Sequence, residues 1–173
     1  MPVRHEYRLS FAEAPARGDQ RTPADVLFSA VSPAGLHPLA GLMLDAYRGT
    51  IDYEGETLSE AVLEVEQYFI RASRSPSLSQ CSVALARGES LAAACLIEFW
   101  ERRRVPFVAF VMTRSTHQRK GLAAFALQTA INRLRKAGES EVWTIITEGN
   151  LPSEILFTRA GFRRVESQRD SVI

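Results

Sequence analysis

A basic loop containing a glycine lies where an apolar run, Val105–Thr113, gives way to a helical pattern. Its central residues are Gln118, Arg119, Lys120 and Gly121. The first N–H groups of a helix lack intrahelical partners and the helix dipole adds partial positive charge, so such a junction can bind an anion such as pyrophosphate. The spacing fits neither the dinucleotide-binding glycine motif nor the P-loop. By itself, therefore, the loop is either an anion site or an exposed basic helix start.

A second pattern follows one strand later, over residues 150–162. Together, the two patterns resemble the GNAT superfamily of acetyl-CoA-dependent N-acetyltransferases. After its fourth strand that family carries Gln or Arg, a Gly three residues later, and Gly or Ala two residues after that. The matching residues here are Gln118, Gly121 and Ala123. After its fifth strand the family carries a longer motif, matched here by Asn150, Ser153, Leu156, Phe157, Gly161 and Phe162.

The resemblance implies an α/β fold of the GNAT type. Its central sheet is mixed but mostly antiparallel, splays apart between the fourth and fifth strands, and is flanked by about four helices. The fourth strand falls on Val105–Thr113 and the fifth on Glu141–Thr147. We expect one domain over residues 1–173, with an additional N-terminal strand at about residues 3–12.

The resemblance also implies acetyl-CoA as the acyl donor, with CoA as the product. In that fold the pantetheine arm lies between the parted strands, and its amides add to the backbone of the fourth strand. The N–H groups of the loop would hold the pyrophosphate, Asn150 would contact the pantetheine from the other wall, and Phe157 would line the channel near the thioester. The positions that the resemblance assigns to this carrier are Val111, Met112, Thr113, Gln118, Arg119, Lys120, Gly121, Leu122, Ala123, Asn150, Ser153 and Phe157.

The expected reaction is direct attack of a neutral primary amine on the thioester carbonyl, which requires a base for the amine and an acid for the leaving thiolate. Many family members have a tyrosine acid where this chain has Phe157, which has no proton to give. The strand Val105–Thr113 contains no carboxylate, which leaves Glu98 and Glu148 as candidate bases. Each is alternatively a solvated carboxylate at a strand end.

The acceptor is expected to contact the loop between the first two helices, where family members place acceptor-binding residues. Asp52 and Glu54 would attract a cationic amine, and Tyr47 and Tyr53 would contact its alkyl part. The alternative is a solvated acidic loop. The acceptor is a small-molecule or peptide amine, and the alternative function is a CoA-binding module of the same fold without turnover.

Hydrophobic periodicity predicts the elements that would position these residues. Two strand-like stretches, 3–12 and 25–31, are expected to form a hairpin with a long loop, and two helices follow. Three strands joined by short turns then indicate an antiparallel meander. Only twelve residues follow Gly161, although family members usually end with two strands. We expect either the strand at 3–12 or a partner subunit in a homodimer to fill the missing edge.

The composition excludes several classes of protein. The 173 residues include 21 Lys and Arg against 20 Asp and Glu, so a net charge of +1 argues against a nucleic-acid partner. The arginine turn at residues 102–104 lacks interleaved aromatic residues; RNA binding there is the weakest alternative. No apolar run is long enough for a membrane span and the N-terminus does not resemble a secretory signal, which favours a cytoplasmic protein. Cys81 and Cys95 are expected to be buried thiols, and the histidines lack metal-ligand spacing.

Overall fold

The protein is built on a seven-stranded mixed sheet, seen in a computed structural model that describes residues 1–166. Its strands are β1 (Arg4–Ser10), β2 (Leu27–Ser29), β3 (Val83–Arg87), β4 (Ser90–Trp100), β5 (Val105–Thr113), β6 (Glu141–Thr147) and β7 (Arg163–Arg164). Their spatial order is β2-β3-β4-β5-β6-β1-β7. All neighbours are antiparallel except β5 and β6, which are parallel. The mixed sheet with its antiparallel meander β3–β4–β5 is therefore confirmed.

Five helices cover the two faces of this sheet. They are α1 (Leu36–Tyr47), α2 (Leu58–Ala72), α3 (Pro76–Ser79), α4 (Leu122–Lys136) and α5 (Leu151–Arg159). One hydrophobic core lies between the sheet and α1 and α2, and a larger one lies between the opposite face and α4 and α5. The sheet thus forms the middle of three layers, as expected for an α/β fold.

Local sequence signals set the helix boundaries. Thr57 and Glu60 form a reciprocal capping box at the start of α2, with Glu60 N–H donating to Thr57 Oγ1 at 3.3 Å. The buried stripe of α2 then follows helical spacing through Ala61, Val65, Tyr68 and Ala72. After α4, Gly138 adopts a left-handed φ of 87°, which lets the chain turn towards β6.

The predicted N-terminal hairpin is wrong. β1 pairs with β6 over seven register pairs, from Arg4 with Thr147 to Ser10 with Glu141, whereas β2 pairs with β3 at the other end of the sheet. Alternating apolar residues identify a strand and its buried face. They do not identify its partner, because any strand that buries the same face of the sheet could lie beside it. The polar connector of residues 11–26 therefore crosses from one side of the sheet to the other instead of forming the long loop of a hairpin.

The N-terminal strand β1 lies inside the sheet, between β6 and β7. β7 has two residues and pairs with β1 through Tyr7 and Arg8. Leu9 is 1% exposed, and its Cδ1 lies 3.1 Å from the position that a Cβ at Gly161 would occupy. The start of the chain is thus packed against the end of the second motif. The residues after position 166, on which part of the expectation for the C-terminal edge falls, lie outside the described residues.

Both cysteines are buried and free, as the sequence predicted. Burial raises the pKa of the Cys95 thiol to about 12. Within residues 1–166, none of the helices combines the length and the apolar character needed to cross a bilayer.

Shortening a side chain of β1 should reveal how much the sheet depends on this strand. We expect Leu9→Ala to lower the free energy of unfolding by about 3 kcal/mol, because it leaves a cavity in the core between β1 and α5. Urea denaturation followed by circular dichroism measures the change. Val3→Ala, which truncates a side chain that is 56% exposed, is the control. Equal, small effects of the two substitutions would show that β1 is not part of the core.

Candidate active site

The strands β5 and β6 part shortly after they begin. They share a single register pair, Phe107 with Trp143. One residue further along each strand, the Thr144 hydroxyl donates a hydrogen bond to the Val108 carbonyl at 3.1 Å. From there towards their carboxyl ends the two strands form no further ladder pairs. The result is a wedge-shaped gap in the sheet, as the resemblance predicted, with its narrow end at Phe107 and Trp143.

The backbone of β5 that faces this gap lacks a strand partner. Arg114 N–H donates to Ala92 O at 2.8 Å, so the backbone groups of every second residue before it, including Met112, also face β4. Those of Val111 and Thr113 consequently face the gap. The Thr113 hydroxyl is buried and has no hydrogen-bond partner among the described residues. Of the three predicted positions on this strand, Val111 and Thr113 thus present backbone groups to the gap, and Met112 has a buried side chain.

The anion loop lies at the wide end of the gap. Arg119 and Gly121 adopt left-handed φ angles of 62° and 75°, and Gly121 is the N-cap residue of α4 without any side-chain cap. In the part of the chain that the structure describes, no acceptor lies within hydrogen-bonding distance of the N–H groups of residues 118–121. Leu122 is 2% exposed and anchors the helix start in the core. The loop therefore presents a series of unsatisfied N–H donors beside two exposed cationic side chains.

Asn150 stands on the opposite wall, directly after β6. Its Oδ1 accepts a hydrogen bond from Ser153 N–H at 3.2 Å and so caps α5, while its Nδ2 donates to Asp52 Oδ2 at 2.7 Å. These two bonds fix the orientation of the Asn150 carboxamide, with Oδ1 directed towards α5 and Nδ2 towards Asp52. Asp52, predicted to bind the acceptor, and Asn150, predicted to bind the carrier, are therefore in direct contact.

Phe157 is packed inside the core of α4 and α5. It is 5% exposed, and its ring meets that of Phe162 edge to face with the centroids 5.0 Å apart. The structure thus shows Phe157 as a core residue, and it has no titratable group.

Glu98 lies at the level of the narrow end of the gap. Its strand partner is Phe107, the residue of β5 that pairs with β6. The residue is 9% exposed, and its Oε2 accepts a hydrogen bond from Arg71 Nε at 3.0 Å. Burial raises the pKa of the Glu98 carboxyl above its ordinary value of 4.5; Arg71 opposes this shift, and the nearby Glu64 carboxylate adds to it. Glu98 is thus a nearly buried carboxyl that retains a proton more readily than an exposed one.

Glu148 is placed differently, at the wide end and turned away from the gap. Its side chain is 62% exposed, and Oε2 lies 3.0 Å from His5 Nε2 on β1. Its backbone N–H also donates towards the N-terminus, to Val3 O at 2.8 Å. The two carboxylates that the sequence left as alternative bases therefore occupy unlike environments.

The remaining predicted acceptor residues lie at the end of α1 (Tyr47) and in the loop that follows it (Tyr53 and Glu54). Tyr47 packs half-buried against the core of α1 and α2. Burial raises the pKa of Tyr47 well above its ordinary value of 10.0, and the Asp52 and Glu64 carboxylates add to this shift. Tyr53 donates a long hydrogen bond of 3.4 Å to Glu56 O, and Glu54 is exposed.

Two features of the site escaped the sequence analysis. Asp45 accepts two hydrogen bonds from Ser115, from N–H at 2.7 Å and from the hydroxyl at 3.0 Å, and so ties α1 to the start of the anion loop. The sequence signal for this contact is an acidic residue in the last turn of α1, where the helix dipole disfavours negative charge. The second feature is a β-bulge at Ala109, because Leu96 pairs with Phe110 but Ile97 pairs with Val108. Nothing in the sequence marks it.

The arginine turn at residues 102–104 packs onto the rings of Trp100, at the end of β4, and Trp143, on β6. The guanidinium of Arg103 lies 4.5 Å from the centroid of Trp143, and those of Arg102 and Arg103 each lie 5.7 Å from that of Trp100. Both arginines also form ion pairs with Glu6 on β1. These contacts hold the hairpin tip against β6 and β1.

Residues 43–162 match the family described as "Acetyltransferase (GNAT) family". No curated protein has a significant sequence match to this chain.

Solved structures with the same fold include three acetyltransferases. A GCN5-related N-acetyltransferase from Sphaerobacter thermophilus is 17% identical with a TM-score of 0.69; the alignment covers 95% of this chain and 50% of that one, so this chain spans half of its length. PaiA N-acetyltransferase from Thermoplasma acidophilum, in complex with coenzyme A, is 16% identical with a TM-score of 0.67, covering 84% and 94% of the two chains. Diaminobutyrate acetyltransferase EctA from Paenibacillus lautus, in complex with its substrate and coenzyme A, is 17% identical with a TM-score of 0.57, covering 78% and 74%.

The raised pKa of Glu98 has a consequence for stability. A carboxyl whose pKa is higher in the folded than in the unfolded chain contributes stability at low pH that is lost as the pH rises through the folded-state pKa. We therefore expect the free energy of unfolding of the wild-type chain to fall relative to that of Glu98→Gln as the pH rises above the ordinary carboxyl value of 4.5. Denaturant titrations on both sides of this value provide the test, with Glu66→Gln, which removes an exposed carboxylate of α2, as control. Parallel curves for wild type and Glu98→Gln would contradict the expectation.

Proposed function

The chain belongs to the acetyltransferase (GNAT) family, and on that premise we propose that it transfers an acetyl group from acetyl-CoA to the primary amine of a small-molecule or peptide acceptor. The family match over residues 43–162 confirms the resemblance seen in the two sequence motifs. The observation that carries the proposal is the gap between β5 and β6, with unpaired backbone along one wall and the uncapped start of α4 at its wide end. The finer points of donor, acceptor and residue roles are our own inference.

The donor set of the gap suits a long phosphorylated thiol carrier. The backbone groups of Val111 and Thr113 are free to pair with the amides of a pantetheine arm, in the manner of an added strand. The N–H groups of residues 118–123, together with the positive end of the α4 dipole, suit a pyrophosphate. Asn150 would hold the arm from the β6 side. When bound, acetyl-CoA supplies the acetyl group as a thioester that an amine can attack.

Glu98 is the side chain that best fits the role of general base. It lies beside the narrow end of the gap and is almost buried, whereas Glu148 is exposed and directed at His5. A carboxylate at this position can take a proton from the acceptor ammonium, either directly or through one water, and so generate the lone pair that attacks. Arg71 holds the Glu98 carboxylate in place from α2.

Phe157 supplies no acid for the leaving sulfur, so we assign the final proton to solvent. A thiol is a good enough leaving group for this to be compatible with turnover. The structure of the fold neighbour EctA was solved with its substrate, L-2,4-diaminobutyric acid, which supports a primary amine as the acceptor class. Tyr47, Tyr53 and Glu54 are the residues we propose to contact it, whereas the Asp52 carboxylate is already bonded to Asn150 Nδ2. A homodimer and a cytoplasmic setting stay predictions.

The two glycines at the ends of α4 allow a matched test of carrier binding. Gly121 and Gly138 both have positive φ angles and open space around the Cβ position, so alanine strains the backbone similarly at either site. We expect Gly121→Ala to raise the dissociation constant for CoA about tenfold, because the loop relaxes away from its left-handed conformation and binding must restore it. Gly138→Ala should cost similar folding stability and leave the dissociation constant unchanged.

Isothermal titration calorimetry with CoA provides the measurement, with thermal unfolding as a check on stability. Equal effects of Gly121→Ala and Gly138→Ala on CoA affinity would place the carrier elsewhere.

The base is tested by substituting the two candidate carboxylates separately. We expect Glu98→Gln to lower kcat/KM about 100-fold at neutral pH and to recover at high pH, where the amine loses its proton unaided. Glu148→Gln should stay within about threefold of wild type, a margin small for a general base. Release of CoA thiol, measured across a panel of primary amines and pH values, gives both profiles. Loss confined to Glu148→Gln would reassign the base, and tight CoA binding without thiol release from any amine would favour the CoA-binding module.

A further inference from the structure

A short segment of the chain spans the wide end of the gap between β5 and β6. We call residues 45–52 the strap. At one end, Asp45 accepts two hydrogen bonds from Ser115, which follows β5. At the other end, Asp52 accepts one from Asn150, which follows β6. Because the two anchors lie on opposite walls, the strap and its side-chain hydrogen bonds link the diverging strands at the end where their own pairing is lost.

Turns inside the strap make it stiff. The Tyr47 carbonyl at the end of α1 accepts hydrogen bonds from Thr50 N–H at 3.0 Å and from the Thr50 hydroxyl at 2.8 Å. Gly49 adopts the left-handed conformation that such a helix end requires, with φ at 84°. Tyr53 N–H then donates to Thr50 O at 3.2 Å. A displacement at one anchor is therefore transmitted along the strap instead of being absorbed by a flexible loop.

The Asp52 anchor also determines how Asn150 is used. Asn150 Oδ1 is occupied by Ser153 N–H, and one of the two Nδ2 hydrogens is occupied by Asp52. One N–H of the carboxamide remains available for a ligand in the gap. Both the rotation of the carboxamide and the direction of that last N–H are thus set by the contact with Asp52.

We propose that Asp52 is a positioning residue that acts through Asn150. It keeps the strap attached to the β6 wall of the gap, and so couples binding of CoA in the gap to the position of the loop that binds the acceptor. The inference rests on the proposed function, since the carrier and the acceptor are those of the acetyl transfer. Coupling of this kind is reciprocal, so the carrier should stabilise the strap and an attached strap should favour the carrier. The role requires a hydrogen-bond acceptor at position 52 and does not require a negative charge.

Two substitutions at one position separate this role from a direct charge effect on the amine. Asp52→Ala removes the anchor, whereas Asp52→Asn keeps an oxygen that can accept from Asn150 Nδ2 and removes only the charge. Glu66→Ala, which removes an exposed acid from α2, is the control. Hydrogen exchange of residues 48–56 is measured by mass spectrometry without ligand and with CoA, alongside CoA affinity by calorimetry and the amine KM and kcat.

We expect CoA to slow exchange of the strap in the wild-type chain. Asp52→Ala should accelerate that exchange about tenfold without ligand, weaken CoA binding, and raise the KM for the amine about tenfold with little change in kcat. Asp52→Asn should restore each value to within about threefold of wild type, because the remaining neutral hydrogen bond preserves the geometry.

Three results would count against the proposal, and they have different meanings. If Asp52→Asn failed as fully as Asp52→Ala, Asp52 would act by its charge on the amine. If CoA bound the wild-type chain but hydrogen exchange of the strap were equal in wild type and Asp52→Ala, only the anchoring role of Asp52 would be contradicted. If the wild-type chain bound no CoA, the proposed function would fall with the coupling, while exchange in the ligand-free protein would still report whether Asp52 anchors the strap.

Discussion

The parting of two parallel strands is the constraint on which the rest of this structure depends. β5 and β6 pair only through Phe107 and Trp143, and Thr144 adds one side-chain bond at Val108. Beyond that point the buried polar backbone of β5 needs partners, because unpaired amides inside a protein are costly. The gap is thus both a weakness of the sheet and an internal position where an extended ligand could pair with β5.

Several parts of the molecule offset the lost pairing from outside the gap. On the far side of β6, β1 supplies seven register pairs and a buried leucine, and the arginine turn at residues 102–104 is held over Trp143 by a cation–π contact and shared ion pairs. Across the wide end, two aspartates connect the walls through the strap. The strands are therefore separated and still held at a fixed spacing, which is what a preorganised binding site requires.

The elements that a local pattern specifies were predictable. The start of α2 follows from Thr57 and Glu60, the end of α4 from Gly138, and the boundaries of β6 from a run of β-branched residues. The loop at residues 118–121 and Asn150 were singled out by their match to the two family motifs, and their roles as carrier contacts stay predictions. The bulge at Ala109 and the contact between Asp45 and Ser115 were not, since each depends on a partner far away in the sequence.

The sequence by itself determined the family, through two motifs, and the order of elements, through hydrophobic periodicity. Both signals consist of residue types at short, regular spacing. Only the tertiary structure decided which strand completes the sheet, which of Glu98 and Glu148 is buried, and that Asp52 meets Asn150. The physical reason is the same in each case. Alternation and composition determine which face of an element is buried, whereas pairing partners, burial of a given carboxylate and contacts between loops arise from packing between residues that are tens to more than a hundred positions apart.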